Sequence, residues 1–336
     1  MSDYLRGLSF FPVLSLCAAM FFNLATAQAD PARWKREGWK TDFSKTTIKF
    51  GEILSGGPPK DGIPAIDKPI FKPIGQIANI TDKEPVVSLA ISGKARAYPI
   101  RILIWHEIVN DTLGGVPVTV TYCPLCNSAI AFDRRVGDRV LDFGTTGKLR
   151  NSDLVMYDRA TESWWQQFTG NAIVGSLVGQ SLKMLPARLE SYAQFKAREP
   201  TGDVLVPNNP TMRNYGKNPY VGYDSAAKPF LYNGAMPDGI NPMARVVAIR
   251  TKDATFAVAL ALLREKRQLS QSGVMLAWQE GQTSAVDTGD IASGRDVGTV
   301  TAVVADNNGK TKPIPYDVTF AFVFHAFHPK HKIRTQ

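Results

Sequence analysis

Residues 116–126 read Val-Pro-Val-Thr-Val-Thr-Tyr-Cys-Pro-Leu-Cys, and this stretch decides the fold. Val116, Val118, Val120 and Tyr122 alternate with Pro117, Thr119 and Thr121, the period-2 signature of a β-strand. The strand runs straight into Cys123 and Cys126, and Pro124 forces the chain to turn between the two thiols. Upstream, Ile100 to Leu113 has the length and periodicity of a helix stopped by Gly114-Gly115. Before it, Val86 to Ile91 and Ala95 to Tyr98 read as short strands around Ser92-Gly93-Lys94. Downstream, short strand-like runs alternate with turns: Ala129 to Phe132, Val140 to Phe143, Leu154 to Tyr157, Ser163 to Phe168 and Ala172 to Leu177. Asp158-Arg159-Ala160-Thr161 fits a hairpin turn. Ala187 to Arg198 reads as a helix ended by Pro200. The class is α+β, β-rich with few helices.

A weak echo runs through the chain. Val86-Val87-Ser88-Leu89 and Ala95 to Leu103 compare with Val246-Val247-Ala248-Ile249 and Ala254 to Leu263, followed by strand-like Gly273 to Trp278 and Thr299 to Val304. The chain therefore divides into a signal peptide (1–29), an irregular Gly- and Pro-rich entry segment (30–83), a first β-rich unit with the cysteines (84–205), and a linker dense in Pro, Asn and Gly (206–242). A degenerate second unit (243–336) follows, packed with the first as one domain. Both units read as strand–strand–helix–strand. The second has no match for Cys123, Cys126 or His106, which makes it a structural partner and not a second site.

The ends bound the setting. An apolar stretch from Leu8 to Leu24 follows the lone basic Arg6, and small residues at Ala25, Ala27 and Ala29 form signal-peptidase sites. Cleavage near Ala29 leaves a periplasmic or secreted chain with no stable membrane insertion, because no later run approaches ~20 apolar residues. Removing Cys17 leaves two of the three cysteines, in a compartment where a close pair can oxidise. The net charge of +9 is spread along the chain without a basic stripe, which argues against a nucleic-acid partner.

A Cys-x-x-Cys spacing lets both sulfurs face one point. Haem c attachment needs His after the second cysteine, and this chain has Asn127. Structural zinc usually takes four protein ligands, and no second cysteine pair supplies them. Two thiolates and an imidazole form a soft site suited to copper, the favoured ion. A redox-active dithiol also stays open, although a thioredoxin-type version expects a helix after the motif and Asn127 to Phe132 reads as strand. So does a structural disulfide, with the protein acting through another surface. No nucleotide-binding loop is present. Enzyme and binding protein both remain open.

His106 lies on the apolar arc of the expected helix with Ile102, Leu103, Val109, Asn110 and Leu113, and points inward. Its short connection to the cysteine strand predicts that His106, Cys123 and Cys126 converge, with Asn110 and either Arg150 or Asp153 around them. Arg150, Asn151 and Asp153 form a polar cluster suited to a turn or a pocket lining. Trp164-Trp165 reads as core or groove wall. His325, His328 and His331, three residues apart near the C-terminus, read as solvated.

The runs HEIVNDTLGGVPVTVTYCPLCNSAIAFDR and LRNSDLVMYDRATESWWQQFTG, with the earlier DGIPAID, resemble the family catalogued as domain of unknown function 3179. The likeness spans about Asp61 to Phe327-His328-Pro329 and weakens over Val258 to Gly289. It implies no reaction. It singles out Asp61, His106, Glu107, Asn110, Asp111, Cys123, Cys126, Arg150, Asn151, Asp153 and Trp165 as the family's marked positions.

Overall fold

The computed structural model describes residues 30–306 and 308–336; the expected signal peptide, 1–29, lies outside them. The described chain is β-rich, with small sheets and five short helices: α1 (Pro31–Arg36), α2 (Ile100–His106), α3 (Tyr192–Arg198), α4 (Leu260–Lys266) and α5 (Ala321–Phe327). No helix among the described residues is long and apolar enough to cross a membrane.

The cysteine strand, Val116–Cys123, lies inside a four-stranded antiparallel sheet between Ile108–Leu113 and Ser128–Asp133, with Lys183–Leu185 beyond the latter. Its first turn is Gly114-Gly115, both at positive φ (55° and 81°), as a two-residue type I′ hairpin requires. This corrects the helix expected over Ile100 to Leu113. The helix stops at His106 because Glu107 adopts φ 60° and ψ −31°, its N–H closing the last turn on the Leu103 carbonyl at 2.7 Å. The chain then continues as Ile108–Leu113, whose residues are buried on both faces except Thr112. A doubly buried strand loses its alternation and can imitate a helical period. The expected helix over Ala187 to Arg198 also shortens: Arg188–Ser191 is strand, and Ser191 caps α3 through the Gln194 N–H.

Three further sheets frame this one. Arg188–Ser191, Pro85–Ile91, Lys94–Pro99, Asp203–Val206 and Ile70–Pro73 form one, in that order, with Asp203–Val206 parallel to Lys94–Pro99. Toward the C-terminus, Asp317–Phe320, Arg245–Arg250, Thr255–Ala259 and Ile333–Arg334 form another, in which the fourth strand, like Asp203–Val206 in the first, is parallel to the third. Gln268–Gln271, Val274–Gln279, Thr299–Ala305 and Thr311–Pro313 complete an antiparallel four-stranded sheet. Val87, Leu103 and Val120 share one continuous core with Val246, Phe320 and Phe322. Burying apolar surface from both ends of the chain in one core ties the two halves together.

Residues 134–182 leave the cysteine sheet and build a five-stranded sheet of Ile53–Ser55, Phe143–Arg150, Asp153–Asp158, Trp164–Gln166 and Ala172–Val174. The strand expected over Val140 to Phe143 is split: Val140 ends the short strand Arg139–Val140, and Phe143 begins the next, Phe143–Arg150. One face of this sheet packs Trp164 against Trp34, Trp39 and Phe43 of the entry segment, with ring centroids 4.8–5.3 Å apart.

Candidate thiol–carboxylate site

Cys123 ends its strand, and the Pro124-Leu125 turn returns the chain so that the Cys126 N–H donates to the Cys123 carbonyl at 3.2 Å. Both are free thiols, 2% and 0% exposed. The turn is clamped from the far end of the chain. Thr319 Oγ1 and the Phe320 N–H donate to the Cys126 carbonyl at 2.8 and 3.2 Å, and Asn127 Nδ2 donates to the Val318 carbonyl at 2.8 Å. Asp317 accepts from Ser128 Oγ and the Ala129 N–H, at 2.6 and 3.0 Å.

Facing the sulfurs is the hairpin between Phe143–Arg150 and Asp153–Asp158. Its two turn residues, Asn151 and Ser152, have φ 55° and 64°, again type I′. The Ser152 carbonyl accepts from both thiols, at 3.8 Å from Cys123 and 3.5 Å from Cys126. The next residue, Asp153, is fully buried, and a carboxylate oxygen of it lies with both sulfurs in a set whose members are all within 4.8 Å of one another. Asp153 Oδ1 is held by Gln166 Nε2 at 2.6 Å and the Phe168 N–H at 2.9 Å. Oδ2 is buried with no hydrogen-bond partner, and the Cys126 thiol lies near enough to the carboxyl to act against the upward shift of its pKa.

Glu107, buried at the end of α2, completes the surroundings. Its carboxyl is pushed up to about 8 by burial and then by the Asp153 charge, and Asp153 itself to about 7, chiefly by burial. Burial likewise raises Cys123, and Cys126 well above the usual thiol value, with Asp153 adding to both. Four acidic groups thus resist ionising in one dry volume, and a cation there would favour the deprotonated form of each.

His106 does not join this set. Its Nδ1 lies 2.7 Å from the Pro64 carbonyl and its Nε2 2.8 Å from the Tyr215 hydroxyl, so both ring nitrogens are engaged. The expected convergence of His106 with the cysteines is corrected here: the helix ends at His106, and its ring turns toward the entry segment and Tyr215. Asn110 is also elsewhere, bonded to Asp67 and to both backbone groups of Phe143. Arg150 stands one bond removed, its Nη1 3.3 Å from the Gln166 Oε1 whose amide holds Asp153, while its Nε pairs with Glu52. Asn151 serves the turn. Trp165 is core, its Nε1 donating to Asp158 at 3.0 Å. Asp61 pairs with Tyr157 and Asp111 with Arg96 and Tyr98, both as structural anchors. Of the tail histidines, His328 is only partly exposed: its ring packs on Phe324 and Phe168.

Sequence reasoning missed Ser152, Gln166 and a cover of tyrosines. Burial raises both Tyr220 and Tyr223, and the nearby Glu107 and Cys123 raise Tyr220 further as Cys126 raises Tyr223; the Ser152 hydroxyl donates to the Phe230 carbonyl at 2.6 Å. The stretch expected to be a linker is therefore a lining. Tyr215, Tyr220, Tyr223 and Tyr232 in a segment otherwise rich in Pro, Asn and Gly were the available signal.

Fold and site together define a β-rich protein with a buried thiol–carboxylate cluster at the meeting of two sheets. The chain belongs to the family described as Protein of unknown function (DUF3179), whose model matches residues 60–331. Neither the curated proteins nor the solved structures contain a match to it.

Proposed function

We propose that Cys123, Cys126 and Asp153 bind one divalent metal ion of borderline softness, with Glu107 or a water in the fourth position. The observation that carries this reading is three donor atoms within 4.8 Å of one another, two thiols and a carboxylate oxygen of Asp153, whose Oδ2 is buried with no hydrogen-bond partner. Zinc replaces copper as the favoured ion. The preference for copper rested on an imidazole, and His106 spends both nitrogens elsewhere. Two thiolates with hard oxygens suit zinc, whose missing ligands come from carboxylates distant in sequence. Thiol exchange is the weaker reading, since buried thiols with raised pKa are poor nucleophiles and strand Ser128–Asp133 follows the motif, not a helix. The expected test is metal analysis of the mature protein purified without oxygen. One zinc per chain, lost in Cys123→Ser and Asp153→Ala, supports the site. A chain that neither carries nor takes up zinc or copper overturns it, and stoichiometric copper overturns the choice of ion.

We also infer that the chain is a duplicated unit with residues 134–182 inserted into the first copy. Supporting this are two sheets of the same order and sense, and a constant displacement of 160 positions between paired residues (Val86 with Pro99, Val246 with Ala259). The helices α2 and α4 follow the same displacement. The insertion supplies Asp153, so the metal belongs to the first copy. For location, the apolar run and small residues of 1–29 support export with cleavage near Ala29, which N-terminal sequencing of the mature protein checks.

A further inference from the structure

A sizeable cavity lies away from the cysteines. About 550 Å³ opens in the second half of the molecule, against α4 and the stretch 239–245. Its origin shows in the corresponding place of the first half. There Arg101 pairs with the buried Glu84 at 2.9 Å and donates to the Asn79 carbonyl, plugging the space. The positions 160 residues on are Ala261, Ala244 and Gly239, and all three line the cavity. The local backbone is otherwise the same: Glu84 N–H bonds the Thr81 carbonyl at 3.1 Å, and Ala244 N–H that of Asn241 at 2.9 Å. Three small residues thus stand where an ion pair and its backbone anchor close the other half.

The lining has a distinct chemistry. Ile240, Met243, Leu260 and Val297 give apolar wall. Asp224 is already spent on Arg245 and Arg295, at 3.1 and 2.8 Å, and Asp296 on the Gly281 and Gly298 N–H groups. Arg264, by contrast, is exposed, stacks over Trp278 at 5.3 Å and makes no ion pair among the described residues. Its counterpart in the first half is the buried Ile104. Arg295 also lines the cavity with its side chain 45% exposed, although it pairs with Asp224 and Asp287, at 2.8 and 3.2 Å. A concave, largely apolar volume with two arginines in its lining, Arg264 without an ion pair, fits a ligand with an apolar body and an anionic head.

We propose that this cavity binds a small organic carboxylate, its head held by Arg264 and Arg295 and its chain lying against Ile240, Met243 and Leu260. The site is separate from the thiol–carboxylate cluster and does not depend on a metal. Calorimetry of the whole mature protein with octanoate, and with octanamide as the uncharged control, tests it. Octanoate is expected to bind with a Kd on the order of 10–100 μM. Octanamide and the Arg264→Gln variant are expected to be at least about tenfold weaker. The double substitution A244E/A261R rebuilds the plug of the first half and abolishes binding, with circular dichroism reporting its fold. No heat with octanoate up to about 1 mM overturns the proposal. So does equal affinity for the amide, or wild-type affinity in Arg264→Gln or in a folded A244E/A261R. Metal content is expected to be unchanged in every variant, so failure here is distinct from failure of the metal reading.

Discussion

Two strands can be laid side by side. In Val116–Cys123 the Tyr122 N–H bonds the Glu107 carbonyl at 2.8 Å, and in Val274–Gln279 the Trp278 N–H bonds the Arg267 carbonyl at 2.9 Å. Glu107 and Arg267 each end a seven-residue helix at nearly the same backbone angles, φ 60° and 64°. One residue further on, the first strand presents Cys123 and the second Gln279. Across from Cys123 a hairpin brings Ser152 and Asp153; after Thr299–Ala305 the chain turns directly into Thr311–Pro313. The backbone frame is shared, and what differs is the contents. Chemistry on this scaffold follows from which segment is added beside the strand end.

The sharpest way to break the comparison is at Asp317, whose counterpart 129 positions earlier is Arg188 (Phe320 stands to Arg245 as Ser191 to Pro85). Asp317 is buried and anchors the cysteine turn through Ser128 and Ala129. Asp317→Ala is expected to cost about 3 kcal/mol, because it strands two buried donors. Arg188→Ala is expected to cost under about 0.5 kcal/mol. Urea unfolding measures both, and equal costs would end the contrast between the halves.

A smaller effect is expected at His328, which ends α5 as Glu199 ends α3. Burial, then Arg250 and His331, hold its imidazole down at about 4. Folding therefore favours the neutral ring. That stability is complete above pH ~6.5 and is lost as pH falls from there toward about 4. With part of the ring reached by solvent, about 1–2 kcal/mol is at stake. His328→Gln should flatten the acid limb of a pH–stability curve, and an unchanged limb would place the acid sensitivity elsewhere.

The smallest effect is expected at Arg267, where relief of backbone strain opposes loss of its stacking on Trp278, 4.7 Å away. Arg267→Gly should raise stability by about 0.5 kcal/mol in thermal unfolding. A loss of more than about 1 kcal/mol would mean that the positive φ carries no strain.

The sequence made the cysteine strand, its turn and the β-rich class legible, because alternation over Val116 to Tyr122 and the Gly114-Gly115 turn are local signals. It misled at His106, since Ile108 to Leu113 is buried on both faces and carries a period that fits a helix equally well. Asp153 stood among the marked polar residues, yet its position under the sulfurs depends on a hairpin made by Asn151-Ser152, a pair without glycine. The tyrosine cover and Asp317 were not legible, because they reach the site only through pairings across much of the chain. The second half read as mere support for a related reason: a cavity made by Ala244 and Ala261 leaves no motif.

Strand Asp317–Phe320 lies close to the C-terminus, yet it supplies the bonds that fix the Cys126–Ser128 turn. A chain growing from its N-terminus therefore carries both thiols through synthesis with that turn unlocked, and closes it only when Asp317–Phe320 arrives. Folding is correspondingly dominated by late, long-range pairing and is expected to be slow. Any agent that reacts with or loads those sulfurs meets them most easily before the chain is finished, and a truncation just before Asp317 would leave them permanently open.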